Sequence, residues 1–172
     1  MRFEVLLADA RATEALGAAL GALIAPGDVV LLIGALGAGK TTLVRGLVGA
    51  LAPGESVTSP TFTLRHEYAT SPPLTHVDCW RLASEAELVE LGLDEVLDEG
   101  GALLVEWGEL ARARFGARAL ELHLEEREQA PGRVALLVDT SGSFTGRLAP
   151  LRAELAERGL ELAAIASDEA GR

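Results

Sequence analysis

The sequence contains a single cysteine, Cys79, which excludes a disulfide within the chain. Its first residues lack the basic region and apolar core of a secretion signal. No apolar run approaches the roughly 20 residues that a helix needs to cross a bilayer. These absences predict a cytoplasmic protein that does not associate with a membrane.

Basic residues are also scarce. The chain carries 15 Lys+Arg against 26 Asp+Glu, a net charge of −11, and it has no lysine- or arginine-rich run. Proteins that bind nucleic acid gain much of their affinity by neutralising phosphates. The composition therefore argues against DNA as a partner, and it predicts that any RNA is held by another subunit.

Lysine occurs only once, at Lys40, within the segment GALGAGKTT at residues 34–42. This segment fits the P-loop pattern G-x-x-x-x-G-K-[ST]. The preceding run Val29–Ile33 is apolar and partly β-branched, as expected of a strand buried on both faces, and apolar residues after Lys40 recur at helical spacing. Strand, glycine loop and helix in this order form the structure that a phosphate site requires.

The chemistry of this loop follows from its backbone. Glycine lets successive N–H groups turn toward a phosphate, and the dipole of the following helix adds to the attraction. Lys40 is expected to reach the β- and γ-phosphates of a nucleotide, and the Thr41 hydroxyl is expected to bind Mg²⁺. The predicted nucleotide contacts in the loop are Gly34, Leu36, Gly37, Ala38, Gly39, Lys40, Thr41 and Thr42.

The order of elements predicts the fold class. A strand at residues 2–7 and a helix at 10–24 precede the P-loop strand and its helix, so the chain opens as β-α-β-α. This predicts an α/β P-loop NTPase, with a mostly parallel central sheet flanked by helices. The alternating runs 119–124 and 133–138 predict an antiparallel hairpin on the sheet edge.

Domain boundaries are predicted from the same pattern. Residues 1–144 are expected to form the P-loop ATPase domain. Residues 145–172 are expected to form a C-terminal helical extension that packs on this domain or trails from it, with a polar, frayed tail from Ser167.

Two carboxylates stand at predicted strand ends. Asp78 shares one face of the strand 74–80 with His76 and Trp80, and it would reach Mg²⁺ or its waters if this strand neighbours the P-loop strand. Glu106 ends the apolar run 102–106, which has the form of a Walker B strand. We interpret Glu106 as contacting Mg²⁺ through water or polarising the attacking water, the alternative being an exposed glutamate that ends a strand.

Two further residues are candidates for nucleotide contact. Thr61 lies in the hydroxyl-rich loop 57–64, where it either senses a γ-phosphate, as threonines of switch loops do, or has a structural role only. Trp107 follows Glu106 directly, and it either stacks on the nucleotide or packs in the core. Packing in the core is the simpler interpretation of Trp107 from the sequence, and stacking on the nucleotide is the alternative.

Several motifs occur in one order and spacing: the P-loop, the SPTF segment at 59–62, the H-x-D-x-W-R segment at 76–81, the ELGL segment at 90–93 and Glu106-Trp107. Together they resemble the TsaE family, also called YjeE, of small bacterial ATPases that act in tRNA threonylcarbamoyladenosine synthesis. The resemblance covers roughly residues 16–138. The combination of these motifs is specific to the family, whereas a P-loop alone is common.

The resemblance implies an ATPase that uses ATP and Mg²⁺. It would work with the TsaD and TsaB subunits, which transfer threonylcarbamoyl to adenosine 37 of tRNAs reading ANN codons. The family's magnesium and catalytic positions map onto Thr41, Asp78 and Glu106, and its switch-like loop maps onto residues 59–62; Lys40 is the further catalytic candidate. The chain departs from the family pattern at Ala35, which is usually Asp, and at Trp80, which is usually Tyr.

A GTPase, a kinase and a binding module are the alternatives to this function. A GTPase would need an N-K-x-D or T-K-x-D segment, which a chain with no asparagine and no lysine after Lys40 cannot supply in its usual form. A small-molecule or nucleotide kinase stays open, with Arg112, Arg114 and Arg118 as candidates for an arginine-bearing lid. A nucleotide-gated binding module with negligible turnover also stays open.

Overall fold

The computed structural model describes residues 1–127, 129–140 and 142–165. The strands are β1 (Arg2–Leu7), β2 (Val29–Ile33), β3 (Arg65–Tyr68), β4 (Leu74–Asp78), β5 (Ala102–Glu106), β6 (Leu120–Glu126), β7 (Arg133–Asp139) and β8 (Ala163–Ala164). The helices are α1 (Ala10–Gly21), α2 (Lys40–Leu51), α3 (Glu85–Glu90), α4 (Leu93–Asp98), α5 (Arg112–Phe115) and α6 (Leu148–Glu157). The polar tail expected from Ser167 lies outside the described residues.

All eight described strands form one sheet, in the order β3-β4-β5-β2-β6-β7-β1-β8. The central strands β4, β5, β2 and β6 pair in parallel, and β3 and β7 join them antiparallel. Every residue of β2, β4 and β5 is buried, because helices cover both faces of the sheet at its centre. The predicted α/β P-loop architecture is confirmed.

The predicted hairpin forms between β6 and β7, but its predicted place on the sheet edge is wrong. β1 pairs antiparallel with the outer side of β7, from Arg2 opposite Val138 to Leu7 opposite Arg133, and β8 pairs with β1. The apolar side chains of Phe3, Val5 and Leu7 all face the core under α1. β1 buries these three side chains because it pairs with the outer side of the hairpin, which extends the sheet beyond β7.

Helices divide between the two faces of the sheet. α1, α2 and α6 cover the larger core cluster on one face, and α3, α4 and α5 cover the cluster on the other. α1 and α2 pack very closely, since a Cβ on Gly46 would lie 2.0 Å from the Glu14 carbonyl oxygen. This close packing fixes the position of α2, whose first turn follows the P-loop.

The segment after residue 144 contacts the rest of the fold at several places. Leu151 and Leu155 of α6 are buried in the core against α1, and β8 extends the sheet. Arg147 donates to both carboxylate oxygens of Asp28, which is itself buried. The division of the chain at residue 144 stays a proposal. Within the described residues, no helix combines the length and apolar character that crossing a membrane requires.

Candidate functional site

The carboxyl ends of β2, β4 and β5 meet at one edge of the sheet, because these strands are parallel neighbours. The P-loop leaves β2 there, and Asp78 lies beside Glu106 in the register of β4 and β5. A cleft of about 350 Å³ opens above them. It is lined by Leu36, Gly37, Ala38, Gly39, Lys40, Thr41, Thr42, Ser59, Thr61, Asp78, Trp80, Glu106 and Trp107. Of the predicted site residues, only Gly34 is outside this lining.

The P-loop has the backbone conformation that a phosphate site needs. Gly39 precedes α2 with φ 106°, a left-handed conformation that favours glycine. Among the described residues no side chain caps α2, so its first N–H groups remain available to an anion. Gly34 shapes the loop from below, since a Cβ there would lie 2.6 Å from the Leu124 carbonyl oxygen.

Lys40 is buried at the floor of the cleft. Its Nζ donates to the carbonyl oxygens of Gly34 at 2.6 Å and Ala35 at 2.9 Å, and lies 3.6 Å from the centroid of the Trp107 ring. Burial lowers the pKa of Lys40, while the negative charges of Glu106, Glu109 and Asp78 act to raise it. The ammonium group is therefore held in the cleft by carbonyl oxygens and an aromatic face.

Trp107 lies between the core and the cleft, and its stacking on a nucleotide stays a prediction. Its backbone has φ 56°, rare for a residue with a large side chain, and this conformation directly follows β5. The ring lies against Trp80, with centroids 4.4 Å apart, and lines the cleft. It also packs against the core cluster beneath α3 and α5.

Asp78 links β4 to the loop at 59–62. Its Oδ2 accepts hydrogen bonds from Ser59 Oγ and Thr61 Oγ1, each at 2.7 Å, and its Oδ1 accepts the Trp80 N–H at 2.9 Å. Thr61 therefore lies at the cleft, tied to the candidate magnesium carboxylate. Ser59 makes the same contact but was not singled out from the sequence, although the hydroxyl-rich composition of the loop was a signal for it.

Glu106 is buried, so the alternative of an exposed glutamate is wrong. Its carboxylate accepts hydrogen bonds from Thr41 Oγ1 at 3.0 and 3.1 Å, and from the ring of His76, whose Nε2 lies 2.9 Å from Oε1. The sequence placed His76 on the same strand face as Asp78 but did not predict its contact with Glu106. That contact depends on the pairing of β4 with β5.

The oxygen atoms in the cleft fit a magnesium nucleotide. Thr41, Asp78 and Glu106 offer one hydroxyl and two carboxylates, and Mg²⁺ takes oxygen ligands, few of them from the protein, and keeps several waters. The described residues contain no cluster of three or more His, Cys, Asp or Glu side chains that could hold a metal ion. Lys40 and the loop N–H groups supply the complementary positive charge.

An arginine from a distant part of the chain also contacts the P-loop. Arg133, at the start of β7, donates from Nη2 to the Gly37 carbonyl oxygen at 3.0 Å. This bond ties the P-loop to β7. No sequence signal pointed to Arg133, because 96 residues separate the two partners.

The three arginines considered for a kinase lid make contacts elsewhere. Arg112 pairs with Glu121, Arg114 pairs with Asp94, and Arg118 donates to the Gly27 carbonyl oxygen. None of them lines the cleft. The geometry thus gives no support to the kinase interpretation.

Comparison with known proteins gives consistent results. The family model for threonylcarbamoyl adenosine biosynthesis protein TsaE matches residues 7–135. A tRNA threonylcarbamoyladenosine biosynthesis protein TsaE of Mycobacterium tuberculosis (strain H37Rv) is 38% identical over 133 residues, covering 72% of this chain and 79% of that protein. The protein of the same name in Bacillus subtilis (strain 168) is 40% identical over 111 residues, covering 64% and 69%.

A solved structure is similar over nearly the whole chain. The crystal structure of YdiB from Bacillus subtilis superimposes with a TM-score of 0.71 at 28% sequence identity. The match covers 92% of this chain and 97% of that one. The similarity therefore extends beyond the region that the family model matches and includes part of the segment after residue 144.

Proposed function

The chain belongs to the TsaE family, and from this we propose that it binds and hydrolyses ATP in the synthesis of tRNA threonylcarbamoyladenosine. Its relatives are named as biosynthesis proteins of that modified nucleoside. The observation that carries the ATPase proposal is the convergence of Lys40, Thr41, Asp78 and Glu106 on one cleft at the P-loop.

The side chains in the cleft divide the work of hydrolysis. Lys40 and the N–H groups of the loop bind the phosphates, and Thr41, Asp78 and Glu106 would hold the magnesium ion directly or through water. A bound Mg²⁺ neutralises negative charge on the β- and γ-phosphates. Both carboxylates are buried and line the cleft. One of them would orient the attacking water beside the γ-phosphate.

The nucleoside would extend along the other side of the P-loop. A second cavity of about 540 Å³ adjoins the loop there, between Trp107 and the last three residues of β6, 124–126. Because the two cavities share Leu36, Ala38 and Trp107, one ligand could occupy both.

The switch proposal rests on the loop at residues 59–62. Thr61 of this loop donates a hydrogen bond to Asp78. If Asp78 bound a magnesium ion, this hydrogen bond would change, and Thr61 and the neighbouring Phe62 would change position. Phe62 and Leu36 are 84% and 83% exposed, and Trp80 is 53% exposed, so large apolar side chains surround the cleft. Such exposed apolar groups are typical of a surface that contacts another protein.

We therefore infer that the nucleotide state of the cleft controls binding to the TsaD–TsaB transferase. That transferase would modify adenosine 37 of tRNAs reading ANN codons. With a net charge of −11, this chain would meet tRNA indirectly, through the complex.

The test is an ATPase assay of this chain with and without TsaD, TsaB and tRNA. We expect slow hydrolysis alone, faster hydrolysis in the full mixture and loss of both in Lys40→Ala. Nucleotide affinity and thermal unfolding of Lys40→Ala are measured alongside, with a large loss of affinity and a folded protein expected. Unchanged ATP affinity in Lys40→Ala, or no hydrolysis by the parent chain in any mixture, would refute the ATPase proposal.

A further inference from the structure

We propose that His76 is a positioning residue that holds the Glu106 carboxylate in its working orientation. The inference rests on the proposed function, because it assigns Glu106 a part in ATP hydrolysis. His76 lies on β4 and Glu106 at the end of β5, the strand beside it. Both side chains belong to the rigid centre of the sheet, where such a contact keeps its geometry.

The hydrogen bonds around Glu106 fix which ring nitrogen of His76 carries the proton. A carboxylate only accepts hydrogen bonds, so His76 donates to Oε1 from Nε2 at 2.9 Å. The other ring nitrogen, Nδ1, is buried, and it has no hydrogen-bond partner among the described residues. Nε2 is therefore the ring nitrogen that donates in this arrangement.

His76 is an unfavourable choice for a purely structural position. Its side chain is fully buried, with 0% exposed, and a buried polar atom without a partner costs free energy. An apolar residue would fill the same space between Tyr68 and Glu106 without this cost. A histidine at this position is explained if Glu106 needs the hydrogen bond from its Nε2–H.

The two side-chain donors to Glu106 among the described residues differ in what they depend on. Thr41 Oγ1 is the other donor, and the same hydroxyl is a candidate ligand of Mg²⁺, because its oxygen can bind an ion through a lone pair while its proton stays on the carboxylate. The position of Thr41 would therefore change with the ion, whereas the bond from His76 comes from the neighbouring strand and does not depend on the ion. Side chains that orient a ligand in this way typically contribute about 10- to 100-fold to activity.

Two substitutions separate the hydrogen bond from the bulk of the ring. The amide nitrogen of glutamine in His76→Gln reaches about as far as Nε2, whereas the shorter asparagine in His76→Asn reaches only as far as Nδ1. We expect His76→Asn to lower kcat about 10- to 100-fold in the full mixture. His76→Gln should recover most of that loss, and both variants should bind ADP nearly as the parent chain does.

The control variant is Tyr68→Phe. The Tyr68 ring stacks on His76 with centroids 6.4 Å apart, and its buried hydroxyl has no partner among the described residues. Tyr68→Phe changes the same buried region without touching Glu106, so kcat should stay at the parent value. Equal kcat in His76→Asn and the parent chain, or an equal loss in His76→Asn and His76→Gln, would overturn the role of His76.

Nitrogen-15 NMR of the imidazole tests the contact without any assay of activity. We expect His76 in the parent chain to show the proton on Nε2, and Glu106→Gln to shift its resonances. A ring whose Nε2 carries no proton would overturn the inference even if ATP is hydrolysed. Absence of hydrolysis by the parent chain would refute the proposed function instead, and the NMR result would still decide whether His76 donates to Glu106.

Discussion

The Nζ atom of Lys40 lies 3.6 Å from the centroid of the Trp107 ring, and it donates hydrogen bonds to two carbonyl oxygens of the loop. Phosphates bound in the P-loop would compete for the same ammonium group, because a charged oxygen is a stronger acceptor than a carbonyl. We therefore expect the fluorescence of Trp107 to change when nucleotide binds.

The chain has two tryptophans, so Trp80→Phe leaves Trp107 as the only reporter. Titration of this variant with ADP should give a saturable change in emission. The same titration in a variant that also carries Lys40→Ala should give none. Emission that does not respond to ADP concentrations shown to saturate the site by calorimetry would mean that Lys40 stays on the ring.

The two buried carboxylates should matter more for hydrolysis than for binding. Asp78→Asn and Glu106→Gln keep the size of each side chain but remove its charge, and the phosphate contacts come mainly from the loop. We expect each variant to lose on the order of 10²-fold in kcat while its ADP affinity changes little. Parent rates in both variants, measured with the full partner mixture, would leave the carboxylates with a structural role only.

The parts of the site that the sequence predicted are local or carried by a motif. Lys40 and Thr41 lie within the nine-residue P-loop segment, and Glu106 ends a strand whose apolar run is visible in the sequence. The contacts from His76 to Glu106 and from Arg133 to Gly37 join residues 30 and 96 positions apart. They depend on which strands become neighbours, and alternation along one strand carries no information about its partner.

The place of β1 illustrates the same limit. The strand itself was predicted correctly, but its pairing with β7 joins residues far apart in the chain, such as Arg2 and Val138. A β-α-β-α opening is compatible with β1 beside β2 or several strands away. The choice is made by burial in a shared core, which brings Phe3 of β1 together with residues far away in sequence such as Leu137.

Acid should remove a stabilising contact at Glu121. Burial raises the pKa of this carboxyl, but hydrogen bonds from Arg112 and His123 outweigh burial and lower it. A lowered pKa in the folded state means that the contact stabilises fully above the unfolded pKa of about 4.3 and is lost as pH falls through the folded value.

Glu121→Gln should therefore destabilise the protein at pH 7 by about 1 kcal/mol, a modest figure because Arg112 is 46% exposed and water screens the pair. The difference in Tm from the parent chain should shrink as pH falls below about 4. Asp94→Asn, which removes the exposed pair with Arg114, is the control and should change Tm little. A difference for Glu121→Gln that stays constant from pH 7 to 3 would contradict this account.

The segment after residue 144 should be needed for stability and not for nucleotide binding. Arg147→Ala would leave the Asp28 carboxylate buried without its partner, which costs about 3 kcal/mol. Asp28 lies before β2, at the end opposite to the P-loop, so ADP affinity of the folded protein should not change. Arg152→Ala, on the exposed side of α6, should unfold like the parent chain.

The loop at 59–62 should transmit the nucleotide state to a protein partner. Thr61 and Ser59 both donate to Asp78 Oδ2, so the loop and a magnesium ion would compete for the same carboxylate oxygen. A ligand shifts an equilibrium between two loop conformations only if it binds them with different affinity. The partner complex should therefore bind this chain with different affinity when it carries ADP and when it carries a non-hydrolysable ATP analogue.

Thr61→Ala should reduce that difference, because the variant loses one of the two hydroxyl contacts to Asp78. Phe62→Ala should weaken partner binding in both nucleotide states, since it removes an exposed apolar side chain and leaves Asp78 untouched. The measurement is a titration of the TsaD–TsaB complex with each loaded form. Equal affinities for the two nucleotide states in the parent chain would refute the switch.

The isolated chain should bind tRNA weakly, because a chain of net charge −11 has few groups to neutralise phosphates. Tight binding of tRNA by the isolated chain at physiological salt would refute the proposal that it meets tRNA indirectly.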